Sequence, residues 1–514
     1  MSLISLKFLI FVVIAVVGYY LIPKKYQWIW LLVFSYIYYI SSGVKIVFFL
    51  VFSTAVTYMT GLLLQKSEEK ESTLGKKKIK ARKRKIITLA LLLDFGMLGI
   101  LKYTNFLLGS IGSVLGSSVP EFDFLLPLGI SFYTFQSAGY VLDVYWGKCK
   151  PERNVFKFAL FVSFFPQLMQ GPIGRFETLA VQLYARHSFD GQRIERGVRR
   201  ILWGYFKKLV IADNAAMFVN SIFGNVDQYS GLAIIGVLAY SAQLYGDFSG
   251  GIDVVSGIAC LFGIDLDENF RRPYFATSIT DFWHRWHITL GTWMKDYIFY
   301  PISLSKWMSR FGKKARKKLG KQIGRALPIC IANIIVFLVV GIWHGAAWKF
   351  IVYGLYNGLV IGISGMLAPQ FRQWKNALHI NDKGKGWMVF QILRTFVLVN
   401  ISWFFDMASN VPDALKMMRY AVTKFEISEL FTAGIIPLGN NNPKYIMLVI
   451  ATILFGCAVL FVVSVFQERG LTEAELYRKV PFALRCLCYV AILFILPVLG
   501  AVPVTSGGFI YAQF

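Results

Sequence analysis

A chain of 514 residues that is 56% hydrophobic, with 13 Trp, 26 Tyr and 45 Phe and a mean hydropathy of +0.55, does not fit a water-soluble enzyme. Its 54 Lys and Arg against 28 Asp and Glu give a formal charge of +26, which on a soluble chain would suggest nucleic acid. Beside apolar spans the same excess reads as the positive-inside bias of cytoplasmic segments, so membrane lipid is an expected partner and nucleic acid is not.

Apolar runs near the ~20 residues needed to cross a bilayer occur at about 4–22, 27–42, 44–65, 86–103, 124–145, 155–170, 200–222, 231–264, 327–343, 348–367, 386–405, 444–466 and 480–498. Several are short or interrupted by Gly and Pro. They predict an all-α, polytopic integral membrane protein of roughly ten to twelve transmembrane helices, with re-entrant or interfacial helices around a central channel. One integral domain covers 1–514, with basic cytoplasmic loops at about 67–85 and 306–326 and an extramembrane loop at about 407–443. The loops carry the blocks "KKKIKARKRK" (76–85) and "RFGKKARKKLGKQIGR" (310–325). No basic region precedes the first run and no small-residue cleavage pattern follows it, so it is expected to stay as a span. The six cysteines are scattered, mostly in apolar runs, and imply neither a disulfide frame nor a zinc site.

Three interrupted stretches, "PLGISF" (127–132), "FPQLMQGP" (165–172) and "GDFSGG" (246–251), carry irregular backbone of the kind membranes tolerate only around cavities. Gln167, Gln170 and Asp247 lie within two of them. They either line a channel or tie helix to helix.

Of five histidines, His187 and His379 sit in polar, loop-like contexts. "SITDFWHRWHITLGTWMKDYIFYPI" (278–302) is too polar for a free span but helical in period. Trp283, Trp286, Leu290, Trp293, Met294 and Tyr297 recur at three- and four-residue steps and predict one apolar helix face. His287, four residues after Trp283, projects from the edge of that stripe, and His284 points with Arg285 toward the polar face. Two histidines at i and i+3 sit close, and Asp281 or His344 would have to complete a metal site. The Glu of a zinc helix is missing, so no metal is expected. His344, in "GIWHGAAW" (341–348), is the only histidine or charged residue between Leu327 and Ala347. It is held either for packing or for chemistry: an intramembrane ionisable group is a functional hypothesis by default, and the small residues after it admit a ligand or another helix.

"DFWHRWHITLGTWMKDYIFYPI" followed some forty residues later by "GIWHGAAWKFIVYGLYNG" resembles the paired signature of the membrane-bound O-acyltransferase family. "LLPLGISFYTFQSAGYVLDVY", "FPQLMQGPIGRFE", "GYFKKLVIAD", "YGDFSGGIDVVSGIACLFGIDLDENFRRPY" and the terminal "FIYAQF" are similar to its bacterial alginate O-acetylation branch, in order and over nearly the whole chain. The resemblance implies transfer of an acyl group, most simply acetyl, from a cytoplasmic thioester to a hydroxyl of an extracellular or cell-wall polysaccharide, in a bacterial cytoplasmic membrane. The family's near-invariant histidine corresponds to His344 and its second to His287. The chain departs from the branch at His284, where Arg is usual, and at Gly251, where an aromatic is. The resemblance also implies an extracytoplasmic esterase-like acetyltransferase as partner. No cofactor is expected to be permanently bound; the donor, acetyl-CoA or an acyl-carrier protein, is a substrate.

An alcohol attacks a thioester slowly because its proton must leave as the new bond forms, and a neutral imidazole is suited to take it. Burial disfavours imidazolium and keeps a histidine basic, which makes His344 the expected general base. His287 either orients a substrate or polarises the acyl carbonyl. Trp343, Trp286, Arg285, Asp281, Gln167, Gln170 and Asp247 are expected to support the site or line its channel. D-Alanyl transfer to teichoic acid is the alternative within the family. A transporter or flippase would predict duplicated halves, which the sequence does not show. A scaffold recruiting a soluble transferase would not need His344.

Overall fold

A computed structural model describes residues 1–70, 75–432, 434–436, 442–471, 475 and 480–500. Helices dominate and no strand occurs among the described residues, apart from an isolated bridge between Phe270 and Trp286. Six helices there are long and apolar enough to cross a membrane: Val44–Glu68, Lys76–Leu115, Lys306–His344, Trp348–Met366, Lys385–Met407 and Pro443–Glu468. Three shorter apolar ones join them, Leu6–Leu21, Val155–Gln170 and Ala483–Leu499. The polytopic all-α architecture stands. The described residues fall into two compact units, 1–201 with 252–268, and 202–251 with 269–500.

In the first unit, interrupted sequence gives interrupted helix. The run at 124–145 becomes helical only at Ile130, because Gly129 takes a left-handed φ of 68° against the Leu168 carbonyl, where a Cβ would sit 2.5 Å from that oxygen. The run at 155–170 breaks at Phe164 into Val155–Ser163 and Phe165–Gln170. Pro166 suits the first turn of the second piece, where its missing N–H costs nothing. Gln136 Nε2 donates to the Phe161 carbonyl (2.6 Å), and Tyr140, Phe158, Phe161 and Phe176 pack their rings together beside it. His187 is not solvated as its context suggests. It is half-buried, with Nε2 2.9 Å from the Gln182 carbonyl.

Both basic stretches correct the expected loops. Residues 76–85 are the opening turns of the Lys76–Leu115 helix. Forty residues of helix reach about 60 Å, twice the hydrocarbon thickness, so the charged end extends past an apolar span. In the second unit, the basic stretch at 310–325 is the tip of a helical hairpin. Gly320 turns the chain at φ 84°, Gly324 lies against the backbone of Arg316, and Gly312 against Pro328. In a straight helix residues 316 and 324 would stand about 12 Å apart, so the chain doubles back at Gly320. Only the second arm continues to His344.

The loop expected at 407–443 is structured where described. It holds the Val411–Thr423 helix, capped by Asn410 Oδ1 accepting from Asp413 N (2.8 Å), and a short 3-10 turn, Ile427–Phe431. Residues 433 and 437–441 of that stretch, and "FIYAQF" at the C-terminus, lie outside the described residues. The helix expected through 278–302 is also interrupted. It forms Ile279–Arg285 and Ile288–Met294, then a π-helical turn, Lys295–Phe299, and Tyr300–Ser303.

Candidate active site

The break in that segment falls at His287, whose φ of 45° and ψ of 53° put a non-glycine residue in the left-handed region. Such a conformation costs about 1–3 kcal/mol and persists only where neighbours over-determine it. Here they do. Arg271 N donates to the Arg285 carbonyl (2.9 Å) and Ile288 N to the Asn269 carbonyl (2.9 Å), pinning the turn from both sides. The Asn269 side-chain oxygen accepts from Thr289 N (3.0 Å) and Thr289 Oγ1 (2.9 Å), and lies 3.1 Å from His287 Nδ1.

That contact fixes the tautomer. An amide oxygen already receiving a backbone N–H can only accept, so Nδ1 of His287 carries the hydrogen and Nε2 the lone pair. The ring meets Phe248 edge-on at 4.8 Å. Burial, and then the neighbouring His344, push its pKa down to about 3, so His287 is uncharged at physiological pH.

His344 ends the Lys306–His344 helix, and the chain leaves in extended form through Gly345. A Cβ on Gly345 would lie 2.3 Å from the Phe350 ring, so glycine there lets the next helix, Trp348–Met366, fold tightly back. The two helices touch through Gly341 and Gly354, whose Cβ positions would fall 2.2 Å and 2.3 Å from the carbonyl oxygens of Phe350 and Phe337. This close approach aims His344 inward. Its ring lies 4.9 Å from that of Tyr353, and Nδ1 is 3.6 Å from Asp406 Oδ1, both side chains 4% exposed. Trp343 braces both imidazoles, with ring centroids 5.6 Å from His287 and 5.2 Å from His344.

A cavity of about 360 Å³ reaches both histidines. Trp283, Trp286, Phe337 and Val340 supply apolar wall, and Asn333 a polar point on it. Thr280, His284, Gly291, Thr292 and Lys295 line it and are exposed, so the cavity opens on their side. His284 thus stands exposed at the rim, as its position toward the polar face predicts.

The other expected residues divide. Trp286 lines the cavity and packs on Phe270, Phe282 and Trp403. Asp281 and Arg285 do not line it. They pair with each other (2.9 Å), and Arg285 and Arg272 both hold Glu468, tying the short helix to the Pro443–Glu468 helix. Asp247 is the ion partner of Lys208 and does not line this cavity. Gln167 and Gln170 belong to the first unit, where Gln167 Nε2 donates to the Pro172 carbonyl (2.6 Å) across its own turn. Neither charge nor amide was enough to place a residue at the site.

Asp406, Asn269, Asn333 and Tyr240, whose hydroxyl donates to the second Asp406 oxygen (2.8 Å), are absent from the sequence-based set. Asp406 carried a signal, being the one carboxylate closing an apolar run, in "ISWFFDMAS" (401–409). Asn269 carried none: its role depends on a turn that periodicity had filled with helix.

Comparison with known proteins accords with this geometry. Residues 153–313 match the membrane-bound O-acyltransferase family. Over 464 residues the chain is 33% identical to a probable alginate O-acetylase of Azotobacter vinelandii, covering 89% of this chain and 83% of that protein. It is 32% identical over 426 residues to a peptidoglycan O-acetyltransferase of Helicobacter pylori, covering 78% and 73%. A teichoic acid D-alanyltransferase of Bacillus subtilis is 26% identical over 297 residues, covering 55% and 69%. The apolar helices and a likeness running through most of both chains lead to one conclusion: the chain belongs to the membrane-bound O-acyltransferase family and is a multi-pass O-acyltransferase.

Proposed function

We propose that this protein takes an acetyl group from a thioester on the cytoplasmic side, acetyl-CoA or an acyl-carrier protein, and passes it through the membrane toward a hydroxyl of a cell-surface polysaccharide, with His344 as general base. The observation that carries the proposal is a single cavity walled by both imidazoles in a chain a third identical to an alginate O-acetylase. As the acceptor oxygen bonds to the acyl carbon, its proton moves to His344. As the carbon–sulfur bond breaks, the proton passes to the departing sulfur. His287 holds its hydrogen toward Asn269, so its other ring nitrogen, Nε2, accepts and does not donate. This favours orientation of a hydroxyl over polarisation of the acyl carbonyl, which needs a donor.

Acetyl is favoured over D-alanyl because the likeness to the O-acetylating relatives is greater in identity and extent. Transfer onto the polymer is completed with an extracytoplasmic esterase-like acetyltransferase, at a bacterial cytoplasmic membrane. The test is mass analysis of cell-surface polysaccharide from cells with the protein, without it, and with His344→Ala. O-Acetyl esters should be lost in the second and third. Full acetylation in the His344→Ala cells would overturn the proposal.

A further inference from the structure

We propose that Asp406, backed by Tyr240, is the positioning residue of His344: it fixes the imidazole tautomer and balances the charge that ring gains during transfer. This rests on the reading of His344 as the base. Asp406 is the penultimate residue of the Lys385–Met407 helix, and its side chain is almost wholly buried. One carboxylate oxygen lies 3.6 Å from His344 Nδ1, and the other accepts from the Tyr240 hydroxyl at 2.8 Å. Lys349 Nζ donates to the backbone carbonyls of Asp406 (2.9 Å) and Ala408 (2.8 Å), pinning the helix end and placing a cation at its negative pole. The carboxylate is therefore held by its side chain and by its backbone, with one oxygen left toward the histidine.

A carboxylate has only lone pairs to offer, so Nδ1 of His344 must present its hydrogen and Nε2 its lone pair. The separation is at ion-pair range. Hydrogen bonds of this kind are often long before substrate binds, and they tighten in the complex. When Nε2 takes the acceptor proton the ring becomes imidazolium, and the adjacent negative charge compensates it inside an apolar enclosure. The proton then leaves from Nε2 to the thiolate sulfur. Nδ1 keeps its own throughout, so no proton passes from the ring to Asp406.

Asp406→Asn tests this sharply, because Tyr240 would hold the amide oxygen and turn the NH2 toward His344. Nδ1 would then have to accept, and Nε2 would carry the hydrogen and lose its basicity. The experiment uses the full chain in native membrane vesicles, with radiolabelled acetyl-CoA as probe and initial rates of acetyl-ester formation. Asp406→Asn should lower kcat roughly 10²- to 10⁴-fold with KM for acetyl-CoA unchanged, and should add nothing further in a His344→Ala background. Tyr240→Phe should lower kcat by about tenfold or more, the loss of one hydrogen bond to a charged group. If Asp406→Asn fails to reach the membrane folded, Tyr240→Phe decides. Wild-type kcat in either folded variant overturns the role of Asp406 and leaves His344 as base untouched. A rise in KM alone overturns it too. An active His344→Ala protein would instead sink the reading beneath it.

Discussion

Two buried polar clusters lie in the unit formed by residues 202–251 and 269–500, and they are built on opposite principles. Around Lys208, charge is matched by charge: its ammonium lies 2.8 Å from Asp213 and is bonded to Asp247, while Lys207 donates to Ser249 Oγ at 2.9 Å. None of these residues lines the histidine cavity. Around His287 and His344 there is one carboxylate, an amide, hydroxyls and an open space of about 360 Å³. Each cluster adjoins a π-helical turn, Phe206–Ala212 and Lys295–Phe299, a distortion often met at functional sites. The distortion is thus common to both and discriminates nothing. What separates them is that the ammonium and carboxylates of the first cluster are engaged with one another away from the cavity, whereas the imidazoles of the second stand on a cavity wall where a lone pair can meet a substrate.

If that distinction is right, mutations in the two clusters should fail in different ways. His344→Ala should reduce transfer by about 10²- to 10⁴-fold while the protein inserts and melts like wild type. An activity loss matched by loss of folded protein would erase the contrast. Lys208→Met should do the reverse. Leaving Asp213 and Asp247 buried without their cation costs about 3–5 kcal/mol, seen as a lower yield of folded protein from membranes and an earlier onset of thermal unfolding. If Lys208→Met folds normally and loses only acyl transfer, the Lys208 cluster belongs to the chemistry after all.

Between these extremes lies the helix pair that carries His344. Gly354→Leu would drive a side chain into the Phe337 carbonyl and part the two helices at the level of the site. A shift of about 1 Å in a catalytic group is worth as much as 10²-fold in rate. The expected outcome is at least a tenfold fall in acetyl transfer with the protein still in the membrane. Unchanged kinetics would show that the close glycine contact does not set the imidazole's place.

The same contrast explains what the sequence could disclose. Span after span was legible because apolar length is a property of composition, and His344 stood out as a lone polar group in such a run. His287 was found for its residue type, yet placed wrongly on a continuous helix face. Nothing local announces that Trp286 and His287 leave the helix; the turn is held by Asn269, nearly twenty residues earlier in the chain. Asp281, Arg285 and Asp247 draw attention for their charge, and that charge is spent in pairing Asp281 with Arg285, Arg285 with Glu468 and Asp247 with Lys208. The basic blocks were read as loops because charge interrupts apolarity. Lys and Arg are good helix formers: the first block opens the Lys76–Leu115 helix, and in the second the helix runs on until Gly320 turns it.

The smallest effect is the one that probes His287 itself. Folded, its pKa lies near 3 against an ordinary 6.5, so between those values the unfolded chain binds a proton that the folded protein refuses. The unfolded state then holds more protons, and stability must rise with pH across that window. The contribution is fully present above about pH 6.5 and drains away as the pH falls toward about 3. Unfolding temperature measured from about pH 7 down to about pH 4 should therefore decline for the wild type, and less steeply for His287→Gln, which has no proton to gain. The substituted protein starts lower, having lost the Asn269 contact, so the slope and not the intercept is diagnostic. Equal slopes would mean that His287 accepts protons in the folded state as freely as in the unfolded one, and the cavity wall it forms would then carry charge in the very range where the base has to be neutral.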